Sequence, residues 1–477
     1  MIRFENTYAD LPPQLFTHQA PVPVKDPELM ALNEPLARDL GLDIDWLRGP
    51  LGVAMLAGNL VIEGSTPIAQ AYAGHQFGGW SPSLGDGRAV LLGELNGPAG
   101  RVDLALKGSG QTAYSRRGDG RAWVGPVLRE FIVSEAMAAL NIPTTRALAA
   151  VSTGEIVARG RAYPGAVLAR IAASHIRVGT FQYLAARNDD TGLRALTDYA
   201  IARHYPQADG PLGLLQSVVA AQARLIADWM AVGFIHGVMN TDNMAISGET
   251  IDYGPCAFID GYHPQKVFSS IDQMGRYAFA NQPSIGAWNL AQLATSLLPI
   301  MDGNEATKIE AATAAVGEFA EICQARWLEN YGRKIGIAQA GKEDLPLIEG
   351  LLARMGSGRA DFTRVFAGLS EGPDFKNAAA QTEFNEAQAW ASWAPDWAAR
   401  LTREADPKSV MRATNPRRIA RNHRVEEAIE AAVDGNIAPF HRLIAAIRAP
   451  FEPHDDWADL AAAPTPNQEV RQTFCGT

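Results

Sequence analysis

Apolar and polar positions change their spacing twice along this chain. Ala89 to Leu95 and Val102 to Lys107 are short apolar runs joined by Asn-Gly-Pro-Ala-Gly, which predicts two strands and a hairpin. Side chains alternate along a strand, so Val102, Leu104 and Leu106 share one face and Asp103, Ala105 and Lys107 the other. Val127 to Leu140 then takes up helical spacing. Arg146 to Arg159 predicts another hairpin, turning at Thr153-Gly154, and a strand follows near Gly165 to Ile171. After about residue 180 the pattern is mainly helical. Leu215, Val219, Ala223, Ile226 and Met230 draw one stripe on a helix, and alanine-rich helices are expected within 286–345 and 377–450. The end beyond Pro450 is expected to be irregular.

Strand, strand, helix, strands, and then helices predicts an α+β fold, in the element order of a protein kinase small lobe followed by a helical large lobe. The expected division is an extension wrapped on the core over 1–69 and a β-rich small lobe over 70–180. A helical large lobe over 181–345 and a C-terminal helical region with a tail over 346–477 complete it. The chain has 477 residues, 47% of them hydrophobic, which is enough for two or three such units. Its net charge of -10 argues against nucleic acid or an acidic membrane as partner, so any phosphate must be met by local cations. Cys256, Cys323 and Cys475 are too far apart for a zinc site or a disulfide framework. No secretory or organellar leader is visible at the start, and the most apolar stretch, Leu214 to Met230, contains Arg224 and Asp228. A cytoplasmic protein is expected.

The chemistry concentrates in HGVMNTDNMAISGETIDYGP, His236 to Pro255. A kinase catalytic loop reads His-Arg-Asp, four residues, then Asn, with a metal-binding Asp-Phe-Gly beyond. Here His236 and Asn243 stand at the first and last positions, and Asp252-Tyr253-Gly254 follows. An amide oxygen at Asn243 and a carboxylate at Asp252 are hard ligands of the kind a phosphate-bridging divalent cation takes. The position of the kinase base is Val238, which cannot accept a proton, and Asp242 is the nearest remaining carboxylate. A polar turn has the same composition, but the helix before and Asp-Tyr-Gly after favour the site.

Upstream, Gly85, Gly87 and Arg88 in LGDGR would let backbone amides and one guanidinium approach phosphate, or form an ordinary turn. Lys107 ends a strand and takes Glu130 on the next helix as its partner; Glu135 is rotated away on that helix. Asp119-Gly120 reads equally as a nucleotide contact or a surface turn. Arg170 and Arg177 flank ARIAASHIR and read as a forked phosphate grip or as salt bridges. His75 reads as structural. The basic run from Arg412 to Arg424 reads as a segment docked on the acidic body.

Together these stretches resemble the selenoprotein O family of protein adenylyltransferases, a pseudokinase family. The resemblance is carried by YAGHQFG, LGDGRA, LKGSGQTAYSRRGDGRA, HGVMNTDNM, IDYGP, GRYAFANQP and NPRRIARNH, between about residues 70 and 424. It implies a kinase-like fold with ATP inverted, and transfer of AMP to Ser, Thr or Tyr hydroxyls of proteins. It also implies magnesium or manganese at Asn243 and Asp252, and Asp242 as proton acceptor. Gly85, Gly87, Arg88, Lys107, Asp119, Gly120, Arg170, Arg177 and Asp252 become nucleotide contacts. The rival expectations are a kinase using Asp242 as a displaced base and an inactive ATP-binding scaffold; UTP stays open as donor. One departure concerns the end of the chain. Some members carry selenocysteine third from the end; here Cys475 stands there, with Gln472 rather than cysteine three residues before it, and it reads as a free thiol.

Overall fold

The computed structural model describes residues 2–97, 100–372 and 374–474, so Cys475 lies outside the described residues. The strands in chain order are β1 (Phe16–His18), β2 (Glu28–Leu32), β3 (Ile68–Gln70), β4 (Gly74–Gln76), β5 (Gly79–Ser81) and β6 (Ala89–Gly97). They continue with β7 (Gly100–Lys107), β8 (Ala122–Trp123), β9 (Arg146–Arg159), β10 (Arg161–Ala172), β11 (Phe234–Ile235) and β12 (Ala257–Phe258). One antiparallel sheet runs β1-β3-β6-β7-β10-β9-β2, with β8 also paired to β10. The segment before residue 70 therefore supplies β1 and β2, at the two ends of that order, as well as β3.

Strand alternation gives the sheet two different faces. Val90, Leu104, Leu106, Val151 and Val167 pack with Leu36, Leu47, Met55 and Leu56 from the N-terminal helices. The other face carries Ala105, Ala150 and Leu168, which join the helix Val124–Ala139 and the main core. Register sets Arg170 opposite Ala105 and Leu168 opposite Lys107, so Lys107, Arg170 and Asp103 all project toward that second face.

The hairpin expected at Thr153-Gly154 does not form. Arg146–Arg159 is one strand, and the chain reverses at Gly160. Thr153-Gly154 is a bulge instead: Ser152 pairs with Ala166 and Ile156 with Pro164, which leaves the residues between without equal partners. Gly154 has φ +64°, and a Cβ there would lie 2.6 Å from Asp26 Cβ. A bulge and a turn draw on the same residue types, and Pro164 opposite needs no ladder donor.

Below the sheet the long helices Gly210–Ala231, Gln282–Leu297 and Glu305–Lys334 pack together. Leu215, Val219, Ala223 and Ile226 lie in the main core, while Met230 joins an aromatic second core with Tyr331, Phe362, Trp393 and Trp397. The basic run docks on the body. Arg417 pairs with Glu371 at 2.6 Å, Arg418 donates to Glu452 O at 2.7 Å, and Arg421 reaches Asp260 and Asp361, each at 2.7 Å. No helix among the described residues is long and apolar enough to cross a membrane.

Candidate active site

β11 pairs with β12 and brackets the loop from His236 to Cys256. His236 ties its two arms together: Nε2 donates to Ile251 O at 2.9 Å, and Nδ1 receives Val238 N–H at 3.4 Å. Val238 is buried, and its carbonyl accepts from Asn243 Nδ2 at 3.0 Å. That bond engages the Asn243 amide nitrogen and leaves its oxygen as the candidate ligand. Asp252 has φ +61°, a left-handed conformation uncommon outside glycine, tolerated best by asparagine and aspartate, and frequent at functional sites.

Three cations converge on Asp252. Lys107 Nζ donates to Oδ1 at 2.9 Å, Arg170 Nη1 to Oδ1 at 2.7 Å and Arg177 Nη2 to Oδ2 at 3.1 Å. Glu130 backs two of them, accepting from Lys107 at 2.6 Å and from Arg170 at 3.1 Å. Glu135 points elsewhere, to Arg146 at 2.8 Å. Burial pushes the Asp252 carboxyl up, but Lys107, Arg170 and Arg177 outweigh it and hold the pKa well below the usual carboxylate range. The backbone brings Arg177 to the loop: Val178 N donates to Met244 O at 3.0 Å and Ile246 N to Ile176 O at 2.9 Å.

Asp242 sits in a different environment. Burial raises its pKa to about 6, which suits a proton acceptor at neutral pH. Oδ2 accepts from Gln76 Nε2 at 3.1 Å, and Oδ1 is buried without a partner. The hairpin β4–β5 clamps this part of the loop. His75 N donates to Thr241 Oγ1 at 2.7 Å and Phe77 N to Asn240 Oδ1 at 3.0 Å. A Cβ on Gly74 would lie 2.7 Å from Asp242 Oδ1.

A cavity of about 610 Å³ adjoins the cluster, walled in part by Arg88, Lys107, Glu130, Tyr253 and Gly254. It is within the size range of small-molecule sites. Among the described residues no group of three or more His, Cys, Asp or Glu could hold a metal ion. Asn243 and Asp252 are the hard oxygen donors that a cation bridging phosphate oxygens could draw on.

A family model described as "Protein adenylyltransferase SelO" matches residues 1–448. The chain belongs to the SelO family. It is 58% identical to the "Protein nucleotidyltransferase YdiU" of Jannaschia sp. (strain CCS1), covering 99% of both chains. It is 57% identical to the protein of the same name from Roseobacter denitrificans, again over 99% of both. The namesake from Rhizobium meliloti is 54% identical, over 100% of this chain and 99% of that one.

In this SelO-family chain Arg88 shares the cavity wall with Lys107, and four other sequence candidates, Gly85, Gly87, Asp119 and Gly120, make contacts outside the cation cluster. Gly85 has φ +112°, and a Cβ there would meet Tyr114 Cγ at 2.5 Å. Gly87 N–H already donates to Gly85 O at 2.8 Å, and a Cβ at Gly87 would lie 2.9 Å from Tyr114 O. Both glycines make room for the loop that follows β7. Asp119 is half-exposed and bonded to Arg159 at 2.6 Å; Arg159 lines the cavity. Gly120 packs against Gly110, whose oxygen a Cβ would meet at 2.0 Å. His75 bonds Gln182 at 2.9 Å between Trp80 and Trp288, in keeping with a structural part.

Sequence reasoning missed Gln76, Gly74, Tyr72 and Asp86. Arg177 stacks on the Tyr72 ring at 4.6 Å and lies 3.6 Å from Asp86. Of the side chains in YAGHQFGGW only the histidine was weighed as a site residue; the dense glycine was the signal that backbone approaches something closely there.

Proposed function

We propose that this protein transfers AMP from ATP to Ser, Thr or Tyr hydroxyls of other proteins and releases pyrophosphate. The observation that carries the reading is the convergence of Lys107, Arg170 and Arg177 on Asp252, beside a loop whose kinase-base position is the apolar Val238. Relatives at 54–58% identity are named protein nucleotidyltransferases, which supports a nucleotidyl donor and a protein acceptor. The fold is read as two kinase-like lobes, sheet above and helices below, with an extension over 1–69 and additional helices after 345. The cytoplasm is the proposed compartment.

Lys107, Arg170 and Arg177 would take the terminal phosphate of an ATP inverted relative to kinases. Arg88 and the Gly85–Gly87 loop would lie along the triphosphate, and Asp119-Gly120 near the base. Asn243 and Asp252 would hold magnesium or manganese, which when bound supplies charge neutralisation at the phosphate oxygens. The acceptor hydroxyl oxygen bonds to the α-phosphorus as the bond to the β-phosphate's bridging oxygen breaks, and pyrophosphate departs with that electron pair. Asp242 takes the hydroxyl proton. Its buried, desolvated carboxylate is suited to this, and the remaining work is positioning and electrostatic. The test uses ATP labelled at the α- or the γ-phosphate, with magnesium and a lysate as acceptor. Protein-bound α-label without γ-label is expected; γ-label on protein would mean a kinase, and no label with intact nucleotide binding a scaffold.

A further inference from the structure

Behind Arg170 lies a buried polar chain that the proposed reaction does not use. His175 sits on the connection from β10 to the helix Val178–Ala185 and is 3% exposed. Its Nδ1 is 2.9 Å from Asp103 Oδ2, and its Nε2 is 3.1 Å from Arg170 Nε. A carboxylate only accepts and a guanidinium only donates, so Nδ1 carries the proton and Nε2 accepts. Burial, and then Arg170, lower the pKa of the ring, in keeping with that neutral form. Asp103 is also held by Arg203 at 2.6 Å.

The ring is not needed as an anchor. The backbone N–H of His175 already donates to the same Asp103 oxygen at 2.9 Å. What the ring adds is an acceptor for Arg170 Nε. The guanidinium is planar, so holding Nε fixes its rotation and aims Nη1 at Asp252 and Glu130. The carbonyl of the same residue accepts from Arg177 Nη1 at 3.1 Å. One residue thus touches both buried arginines of the cluster.

We infer that His175 is a positioning residue: through Nε2 it sets the orientation in which Arg170 meets the terminal phosphate, with Asp103 fixing the tautomer. This rests on the reading of Arg170 as a phosphate ligand. A merely structural histidine would instead matter through its bond to Asp103, and two substitutions separate the cases. Asparagine keeps a donor near the Nδ1 position and has nothing at Nε2. Glutamine reaches farther and carries an acceptor oxygen toward Arg170, at the expense of the Asp103 bond.

The experiment is calorimetric titration of the full-length protein with ATP and magnesium, alongside α-label transfer and thermal melting. His175→Asn should weaken ATP binding about tenfold, the scale of one charge-assisted hydrogen bond, while His175→Gln stays within about threefold of the parent. The reverse order, equal losses, or no loss in either variant overturns the inference. In an Arg170→Lys background, which has no Nε–H, adding His175→Asn should cost nothing further; additive losses overturn it too. If Arg170→Lys weakens ATP binding and His175→Asn does not, only the inference fails. If Arg170→Lys leaves ATP binding unchanged, the phosphate reading of Arg170 fails and takes the inference with it.

Discussion

Two clusters of buried arginine and aspartate stand in this molecule with opposite groups at their centres. At Arg421 one guanidinium serves two carboxylates. Nη1 reaches Asp260 and Asp361, each at 2.7 Å, and Nη2 reaches Asp361 at 3.1 Å and Ala461 O at 3.2 Å. At Asp252 one carboxylate serves three cations. The Arg421 side chain is 1% exposed, whereas Asp252 is 21% exposed. The first cluster is closed and ties the C-terminal region to the segment after β12. The second gathers Lys107, Arg170 and Arg177, with Glu130 and Asp86 also paired to them, around a carboxylate that solvent can reach. Burial of charge alone does not distinguish a brace from a site; the opening to solvent at the central group does.

The widest separation should come from Asp252→Ala. AMP transfer is expected to fall below detection, because the one carboxylate in the proposed metal pair is gone. Stability should fall by less than about 2 kcal/mol, since Lys107 and Arg170 keep Glu130. Transfer retained in that variant would sink the assignment. Arg421→Met should show the mirror image. Two buried carboxylates lose their shared partner, so urea unfolding should report a loss of about 3–5 kcal/mol. Transfer per folded molecule in the cold should be near that of the parent; a stability loss under about 1 kcal/mol would refute the brace.

Gly74→Ala is a narrower cut. The new methyl would lie 2.7 Å from Asp242 Oδ1 and 3.1 Å from its Cβ, so the carboxylate must shift. A displacement of that order should lower kcat about tenfold to a hundredfold while ATP binding is kept. Unchanged kcat would show that Asp242 is not held in a reactive position by the β4–β5 hairpin.

Contacts set by local periodicity were readable in advance, and contacts set by distant chain were not. The Lys107–Glu130 contact follows from strand alternation and from the rotation that separates Glu130 from Glu135. The same alternation marked Asp103 as facing Lys107's side, yet its pairing with His175 needs a chain crossing no spacing reveals. The Thr153-Gly154 bulge was read as a turn because both need a residue at ease with positive φ. Gly85 and Gly87 were read either as an approach for phosphate or as an ordinary turn, and the structure adds a packing demand that no spacing shows, room for Tyr114. Glycine announces close approach but not what approaches. The sheet positions of β1 and β2 depend on pairing with β3 and β9 far along the chain, so only the texture of an extension was visible.

The last prediction concerns a cation that is buried with no ion pair to a carboxylate among the described residues. Lys334, at the end of the long helix beside the Arg421 brace, is 2% exposed and lies over the rings of Phe366 at 4.2 Å and Phe362 at 5.4 Å. Burial alone lowers its pKa to about 7. In the unfolded chain the amine titrates near 10.4. Between about pH 7 and pH 10.4 the unfolded state therefore binds the proton more tightly, and this group makes folding more favourable as pH rises through that window. Below about 7 both states are protonated and the penalty is constant. Lys334→Met removes the penalty, so the variant should gain stability at pH 7 and match the parent near pH 10. Parallel melting curves of the two proteins across that range, with a constant gap, would show that the aromatic rings carry the charge unaided. They would then replace the carboxylates that Arg421 requires, and Lys334 would stay charged in the fold.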